Sequence, residues 1–318
     1  MAYVTGDTIL DSHYNGFATS VNALWGTGTG DSGYGQIGST LSSVTAGNTV
    51  TATQWSTLLA RISTMASHQG SSVTAITSPV ATDPIEAYQA LSGNITTITT
   101  NKLNKAANGT VSNTTGVNTT DWITSLTITN TLTFAGGNEA RYFFNAGGYI
   151  DISTTHPEGN AKDNEWNDLC TQAANYLLNA NTGGKSGGTG TPTTNLTTTG
   201  YYDLLDGSDT VMFKQFADTA PYTANYIQIS MQSNTDDATD GLGNNGTIIT
   251  VTVLLQDDAV DTAYDKSVYT VQDNVTSTTT TTFAYYPPDT TYLGNTWGTP
   301  TWGTATVTPV GAAQTSGI

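Results

Sequence analysis

Residues 120–154 read TDWITSLTITNTLTFAGGNEARYFFNAGGYIDIST, and this stretch decides the fold that the sequence predicts. In its first part, apolar side chains occupy alternate positions, with threonine at most of the positions between them. The apolar positions are Trp122, Leu126, Ile128, Leu132 and Phe134. A period of two is typical of a β-strand that buries one face, so we predict a strand here as the nucleus of a β-domain.

Two glycine pairs divide the rest of this stretch. Gly136-Gly137 allows the chain to reverse after the first strand. We predict further strands at residues 140–144 and 149–153. Gly147-Gly148 lies between these two segments, where a β-bulge or a close approach of the backbone would leave no room for a side chain.

The same stretch carries a recognisable motif, RYFFNAGG at residues 141–148. Shorter motifs elsewhere are YVTGD at 3–7, YNGF at 14–17, GYGQ at 33–36, HQG at 68–70 and PYTANY at 221–226. Together they resemble a family of virion structural proteins of tailed bacteriophages, particularly marine and cyanobacterial phages. The resemblance covers the first half of the chain, with fewer matches beyond it. It implies a packing scaffold in a virus particle and names no reaction.

Composition limits the classes of partner. The chain has 318 residues, of which 10% are charged, and its formal net charge is −17. Only 8 residues are Lys or Arg against 25 Asp or Glu, and the basic residues are scattered singly. Because binding to phosphates or to an anionic membrane needs clustered Lys and Arg, we expect no nucleic-acid partner and no membrane binding.

The cysteine count and the hydropathy pattern limit the cellular locations that we expect for the protein. Cys170 is the single cysteine, so an intrachain disulfide is excluded. No segment approaches the roughly 18 consecutive apolar residues of a membrane span, so we expect no membrane insertion. The first residues, MAYVTGD, lack the basic region and apolar core of a secretory signal. We expect synthesis and assembly in the host cytoplasm, and the virion as the final location.

The first 110 residues predict helices. Asp7 caps a helix that runs to about Trp25, and Thr51 with Gln54 forms a capping box for a second helix, which ends at Gly70. The loop between them contains the spacing GxGxxG. It follows a helix instead of a strand and opens no helix, which argues against a dinucleotide site.

A third helix is predicted to start at Asp83-Pro84. Its apolar positions follow a heptad spacing of 3, 4 and 3. These positions are Tyr88, Leu91, Ile95 and Ile98. They predict either a seam between copies of the chain or a face that packs on the two preceding helices, and the two alternatives differ in oligomeric state.

The rest of the chain predicts an antiparallel β-sandwich with one inserted long helix, so the fold class is α+β. Residues 106–119 are polar and without periodicity, and we place a domain boundary there. The helix is predicted at residues 160–180, with Cys170 as a small core residue on its buried face. Further strands are predicted at 200–205, 211–216, 225–232, 247–256, 267–271 and 278–286. The predicted division is 1–110 helical assembly domain, 111–286 β-sandwich and 287–318 extended tail.

The C-terminal segment repeats a five-residue step containing Trp297 and Trp302. Its proline and glycine content argues against a central strand. We predict that the tail docks on a neighbouring subunit through these two rings, with packing inside the same chain as the alternative.

Candidate chemistry is sparse. Glutamate occurs only at positions 86, 139, 158 and 165, and acids near the start of the 160–180 helix are explained by its dipole. The best cation candidate is the loop with Asp236, Asp237 and Asp240, whose oxygen atoms would suit calcium. The alternative is an Asp/Asn/Gly hairpin loop without an ion. A second acidic loop at residues 257–265 has the same two interpretations. We predict no other cofactor.

These features predict a non-enzymatic structural component of a tailed-phage virion, associated with the tail, neck or fibre. Its partners would be other virion proteins and copies of itself. One alternative is an adhesin that binds host-surface glycans through aromatic rings on loops; a capsid decoration protein is another. The rings concerned are Tyr201, Tyr202, Tyr285, Tyr286, Trp297 and Trp302.

Overall fold

The computed structural model describes residues 11–28, 32–36, 41–77, 88–235, 245–259, 274–276 and 278–311. Within these ranges three helices come first, and two antiparallel sheets with two further helices follow. The sheets face each other as in a sandwich. The predicted α+β class is confirmed.

The helices begin and end at signals that the sequence carries. They are α1 Asp11–Trp25, α2 Ala52–Gln69, α3 Tyr88–Thr100, α4 Gly137–Asn145 and α5 Ala161–Ala173. At the start of α2, Thr51 Oγ1 accepts from the Gln54 N–H at 3.2 Å and Gln54 Oε1 accepts from the Thr51 N–H at 2.9 Å. Gly70 ends α2 at φ 65°, a left-handed conformation that favours glycine. The predicted helix starts at Asp7 and Asp83 lie outside the described residues.

The apolar stripe of α3 packs within the chain. Leu91 and Ile98 are fully buried and Ile95 is 9% exposed, all in the core formed with α1 and α2. Tyr88 is half-buried, and its ring centroid lies 5.0 Å from that of Phe17 on α1. The alternative of packing on the preceding helices is therefore observed. A seam between copies is wrong for Leu91 and Ile98, because their surfaces are already covered.

Within the described ranges, the two sheets contain twelve strands between them. In chain order these are β1 Ser112–Asn118, β2 Ser125–Thr133, β3 Tyr149–Thr155, β4 Asn175–Leu178, β5 Gly183–Ser186, β6 Thr194–Asn195, β7 Thr210–Phe216, β8 Tyr226–Ser233, β9 Ile248–Gln256, β10 Thr279–Tyr286, β11 Thr301–Trp302 and β12 Thr306–Val310. Sheet A has the order β1-β10-β3-β4-β5, and sheet B has the order β11-β2-β9-β8-β7-β6. The strand β12 also pairs with β2, next to β11.

Strand register lines up apolar side chains in rows across each sheet. The rows are Leu126–Leu255–Ile227 and Ile128–Val253–Ile229 in sheet B, and Phe283–Ile152–Tyr176 and Tyr285–Ile150–Leu178 in sheet A. Every member of these rows is buried. Burying one such side chain contributes about 1.5–3 kcal/mol, so the rows fix the register that the period of two predicts.

The predicted strand at residues 140–144 is wrong, because this segment is the helix α4. In a strand, Phe143 and Phe144 would point to opposite faces of a sheet. Here both are fully buried, and they stand edge-to-face with centroids 5.0 Å apart. Phe144 also stacks on Tyr201 at 4.3 Å. A helix satisfies its own backbone hydrogen bonds, so it can be buried on all sides without a neighbouring strand.

Three further predictions are wrong in detail. The polar linker at 106–119 contains β1, which pairs with β10. The long helix ends at Ala173, and residues 175–178 continue as β4. The predicted strand at 200–205 contains the 3-10 helix Tyr201–Asp203. For β1 the pairing partner, β10, lies far away in the chain, which local sequence does not reveal. The predicted strand at 267–271 lies outside the described residues.

The C-terminal segment belongs to the chain's own fold. The strands β11 and β12 form one edge of sheet B. Trp297 is only 2% exposed, and Trp302 packs on Phe283 and Tyr285 with centroids 5.8 and 6.3 Å away. Docking of these rings on a neighbouring subunit is therefore wrong for Trp297 and is replaced by the intramolecular alternative.

Several separate hydrogen bonds join the helical region to the sandwich. Asn145 at the end of α4 donates to the Gly33 carbonyl at 2.8 Å. Gln36 exchanges two bonds with the Gly294 backbone, at 2.9 and 2.8 Å. His68 Nε2 lies 3.0 Å from the Ala146 carbonyl. The motif at residues 141–148 therefore forms part of the junction between the two regions.

Candidate functional site

The helix α5 lies against both sheets and carries three buried basic or acidic side chains, Lys162, Asp163 and Glu165. Its N-cap is Asn160, whose Oδ1 accepts from the N–H groups of Lys162 and Asp163 at 2.9 and 2.8 Å. Asp163 completes a capping box by accepting from the Asn160 N–H at 3.0 Å. This cap fixes the start of α5 and thereby the orientation of every side chain along it.

A buried network surrounds Asp163. Its carboxylate accepts from the Thr276 N–H at 2.9 Å and the Thr276 hydroxyl at 2.8 Å, and lies 3.2 Å from His156 Nε2. Burial opposes ionisation of Asp163, but these hydrogen bonds outweigh it and lower its pKa. Burial also lowers the pKa of His156, in spite of the neighbouring Asp163. A neutral imidazole therefore donates from Nε2 to an ionised carboxylate.

The tautomer leaves His156 Nδ1 as an acceptor for the Thr279 hydroxyl, 2.9 Å away. Hydroxyl, imidazole and carboxylate thus follow one another in the order of a nucleophilic triad. His156 is 2% exposed, and Thr279 and Asp163 are fully buried, so a substrate cannot reach the hydroxyl. The network holds α5 to β10 and to the segment before it.

One cluster of potential metal ligands lies further along α5. Carboxylate oxygens of Glu165, Asp168 and Asp218 lie within 4.8 Å of one another, the only such group within the residues that the structure describes. Glu165 is buried at 6% exposure, whereas the two aspartates are exposed. Burial and the charges of Asp168 and Asp218 raise the pKa of Glu165 to about 7. Gln172 donates to both aspartates, at 2.7 and 3.0 Å.

A polar groove of about 480 Å³ lies between residues 108–110 and the segment 285–300. Tyr285 and Trp297 line it but are only 3% and 2% exposed. The Tyr285 hydroxyl donates to the Pro300 carbonyl at 2.8 Å, so the polar end of this side chain is already bound within the fold. Because both rings are almost completely covered, neither offers an open face on which a sugar could stack.

The six aromatic rings predicted as glycan platforms are covered to different degrees. Tyr201, Tyr285 and Trp297 are buried, and the remaining three are half-buried. Tyr286 stacks on Tyr149 at 4.8 Å, so one face of that ring is occupied. Three of the six rings are therefore unavailable for stacking, and the half-buried three are partly covered.

The predicted calcium loop with Asp236, Asp237 and Asp240 lies outside the described residues. Of the second acidic loop, Asp257 and Asp258 are described. Asp257 Oδ2 lies 2.6 Å from Lys162 Nζ in a buried ion pair, and Asp258 Oδ1 accepts from Gln256 Nε2 at 2.8 Å. Cys170 is 2% exposed and burial raises its pKa to about 12, which confirms a core residue and leaves a protonated thiol.

The open side of the sandwich is formed by β1 and β12. In the described part of the chain, β1 pairs with β10 alone and β12 with β2 alone. The sequence of β1, SNTTGVN, carries no charge and no proline. Val117 is 44% exposed on it, and Val310 at the end of β12 is also 44% exposed. At the opposite side, Lys185 of β5 donates from its N–H to Asn195 Oδ1 of β6 at 2.9 Å, which links the two sheets.

The sequence did not lead us to predict the acidic cluster of Glu165, Asp168 and Asp218 or the open edge at β1. Glu165 and Asp168 have the three-residue spacing that places side chains on one helical face, which is a signal for half of the cluster. Asp218 is 50 residues beyond Asp168 by the chain numbering, and no local pattern connects them. The edge strand was hidden because its composition is that of a linker.

Comparison of the chain with models of known protein families, with curated proteins and with solved structures found no match. Within the described residues, none of the helices is both long enough and apolar enough to cross a membrane.

Proposed function

We propose that the chain is a non-enzymatic structural component of a tailed-phage virion, associated with the tail, neck or fibre, and that it assembles with copies of itself and with other virion proteins. The motifs at residues 3–7, 14–17, 33–36, 68–70 and 141–148 support the family. The motifs at residues 33–36, 68–70 and 141–148 each contain a residue that forms a hydrogen bond between the helices and the sandwich. Such contacts are expected of motifs that serve packing.

The observation that best supports self-assembly is that β1 lies at the edge of its sheet with one side unpaired in the described part of the chain. An edge strand presents unpaired N–H and C=O groups on its free side, and a strand of another chain can add there. Soluble proteins usually protect such an edge with Lys, Pro or a bulge. The strand β1 has none of these and exposes Val117 at 44%, and Val111, just before the strand, is 39% exposed. A second copy of the chain is the occupant that we propose.

The net charge of the chain makes this association depend on salt concentration. Two copies that each carry a formal charge of −17 repel one another. The Debye length falls from about 30 Å at 0.01 M salt to about 8 Å at 0.15 M, so salt weakens this repulsion while leaving strand pairing intact. We therefore expect association to strengthen with ionic strength.

The test is the mass of the full chain by light scattering after size exclusion, across salt concentrations. We expect a defined oligomer at and above physiological salt. Val117→Lys places a charge on the edge and should shift the chain to a monomer without changing its far-UV circular dichroism. Leu205→Lys alters a residue that is equally exposed, at 44%, on a loop outside the edge, and should keep the wild-type mass.

A monomer at every salt concentration would contradict self-assembly and would favour the decoration role. An oligomer that survives Val117→Lys would contradict the β1 edge as its interface.

A further inference from the structure

The cluster on α5 combines a buried acid with two exposed ones. Glu165 and Asp168 lie one helical turn apart, and Gln172 follows four residues after Asp168 on the same face. Asp218 reaches this face from the segment that follows β7. The cluster is therefore open to solvent on the side of the aspartates and closed at Glu165.

The Glu165 carboxylate is incompletely satisfied. Its Oε1 atom is buried and has no hydrogen-bond partner within the described residues. A buried polar atom without a partner costs about 1–3 kcal/mol, and more when it is charged. Such an atom, on a side chain whose carboxylate lies close to two further carboxylates, indicates a missing partner of positive charge.

The neighbouring groups do not supply that charge. Gln172 donates to Asp168 Oδ2 and Asp218 Oδ2, and the Thr219 hydroxyl donates to Asp218 Oδ1 at 3.1 Å; all of these donors are neutral. Among the described residues, no Lys or Arg forms an ion pair with the three carboxylates.

We propose that Glu165, Asp168 and Asp218 bind one calcium ion. Calcium takes oxygen ligands at about 2.3–2.6 Å, so two ligands of one ion can be up to about 5 Å apart. The three carboxylate oxygens lie within 4.8 Å of one another and meet this limit without a change in backbone. Rotation of the Gln172 amide by about 180° would present its oxygen as a fourth ligand, and water would complete the coordination from the open side.

The donor set favours calcium over other common divalent ions. It contains oxygen atoms only, whereas zinc sites typically use His or Cys. Magnesium prefers near-ideal octahedral geometry at about 2.0–2.1 Å and gives up its water reluctantly, so it draws ligands closer together than calcium does. Carboxylates on a helix and on a separate loop suit the larger and more tolerant ion.

Binding would join two elements of the fold. Glu165 and Asp168 belong to α5, and Asp218 follows β7 in sheet B. Gln215 of β7 donates to Gln172 Oε1 at 3.4 Å, a long hydrogen bond between the same two elements. A calcium ion would replace this weak connection by direct coordination, and the fold would be more resistant to unfolding when calcium is present.

The proposal is tested with calcium chloride and the full chain, after chelator treatment. Isothermal titration calorimetry should give about one ion per chain at this site, and the unfolding midpoint should rise with calcium concentration as ligand linkage requires. Glu165→Gln keeps the shape of the side chain and removes its charge, and it should weaken calcium binding at least tenfold. Asp218→Asn, in the segment after β7, should also weaken calcium binding at least tenfold.

The matched control is the triple variant Asp236→Asn, Asp237→Asn and Asp240→Asn. It removes three carboxylates from the other acidic loop and should leave this binding step unchanged. Glu165→Gln removes a buried charge and so changes the stability of the chain without calcium; the deciding quantity is therefore the calcium-dependent shift of each variant and not its absolute stability. The proposal is overturned if millimolar calcium leaves the wild-type midpoint unchanged, if Glu165→Gln retains the full shift, or if magnesium at equal concentration matches calcium.

Discussion

Single residues in this chain act mainly through buried hydrogen bonds. Asp163 accepts four of them, from Thr276, Asn160 and His156, with its side chain fully buried. The sequence marks Asp163 only as the third residue of a helix that starts at Asn160. Its contact with Thr276 spans 113 positions and could not be predicted from local pattern.

Replacement of Asp163 by alanine should lower the free energy of unfolding by about 3–5 kcal/mol. Several buried donors would lose their acceptor, and each unsatisfied donor costs about 1–3 kcal/mol, with partial relief by water. Chemical denaturation measures the change. Asp209→Ala, an exposed aspartate before β7, should stay within about 0.5 kcal/mol of wild type. Equal effects of the two substitutions would show that the network contributes nothing.

His68 should make the fold sensitive to acid. Burial lowers the pKa of its imidazole, the Ala146 carbonyl and Asp289 act to raise it, and Lys105 lowers it further. The unfolded chain binds a proton near its usual pKa of about 6.5, whereas the folded chain binds it only at lower pH. The stability contribution is therefore complete above about pH 6.5 and is lost as the pH falls below that value.

The measurement compares wild type with His68→Gln, which keeps a donor for the Ala146 carbonyl. Denaturation at pH 8 and at pH 5.5 should show a larger acid-induced loss for wild type than for the variant. Because the other titrating groups are common to both chains, their effects cancel in this comparison. Parallel loss in the two proteins would rule out His68 as the acid-sensitive group.

At the scale of elements, period and capping signals predict well where both are present. The strands β2, β8 and β9 follow their period of two, and α2 follows its capping box and its terminal Gly70. Prediction fails for α4, where aromatic residues have high strand propensity, and for β1, where Asn and Gly have low strand propensity. Both segments are decided by tertiary contacts: α4 by burial on all sides and β1 by pairing with β10.

Two glycine-to-alanine substitutions distinguish the effect of tight packing from the effect of backbone propensity on stability. A Cβ atom at Gly148 would lie 2.7 Å from the Phe143 ring and 2.7 Å from the Phe143 carbonyl. Gly148→Ala should therefore destabilise the chain by about 1–3 kcal/mol, since a well-packed core resists added atoms. Gly93 lies inside α3 with nothing within 4 Å of such an atom. Gly93→Ala should stabilise the chain by about 0.5–1 kcal/mol.

Thermal and denaturant unfolding of both glycine variants supply the measurement. The expected result is opposite signs from the same chemical change. A stabilising Gly148→Ala would mean that α4 and β3 have room to separate, and would contradict the close approach that the Gly147-Gly148 pair predicts.

For the whole molecule, the sequence indicates two regions but not how they are joined. A boundary near residue 110 is reasonable on composition, yet the joining contacts connect residues far apart in the chain. Gln36 reaches Gly294 across 258 positions and Asn145 reaches Gly33 across 112. Because these contacts lie at the junction, we expect the helices and the sandwich to unfold together in one transition.

Asn145 offers the sharpest test of that coupling. It is fully buried; its amide donates to the Gly33 carbonyl at 2.8 Å and its oxygen accepts from the Tyr202 hydroxyl. Asn145→Ala leaves both partners unsatisfied and should cost about 2–4 kcal/mol. Hydrogen exchange should then rise in α2 more than in β8 and β9, because the helices lose a tie to the sandwich while the sheet keeps its own pairing.

The matched control is Asn101→Ala. Asn101 donates to Ser71 Oγ at 2.9 Å, and both residues belong to the helical region. This substitution should destabilise the helices locally and leave the coincidence of helix and sheet transitions unchanged. If Asn145→Ala raised exchange equally in α2 and in β8, the junction would be only one part of a uniformly cooperative core. If neither changed, the two regions would be held together by apolar packing alone, and the motif at residues 141–148 would owe its place to the Phe143 and Phe144 rings.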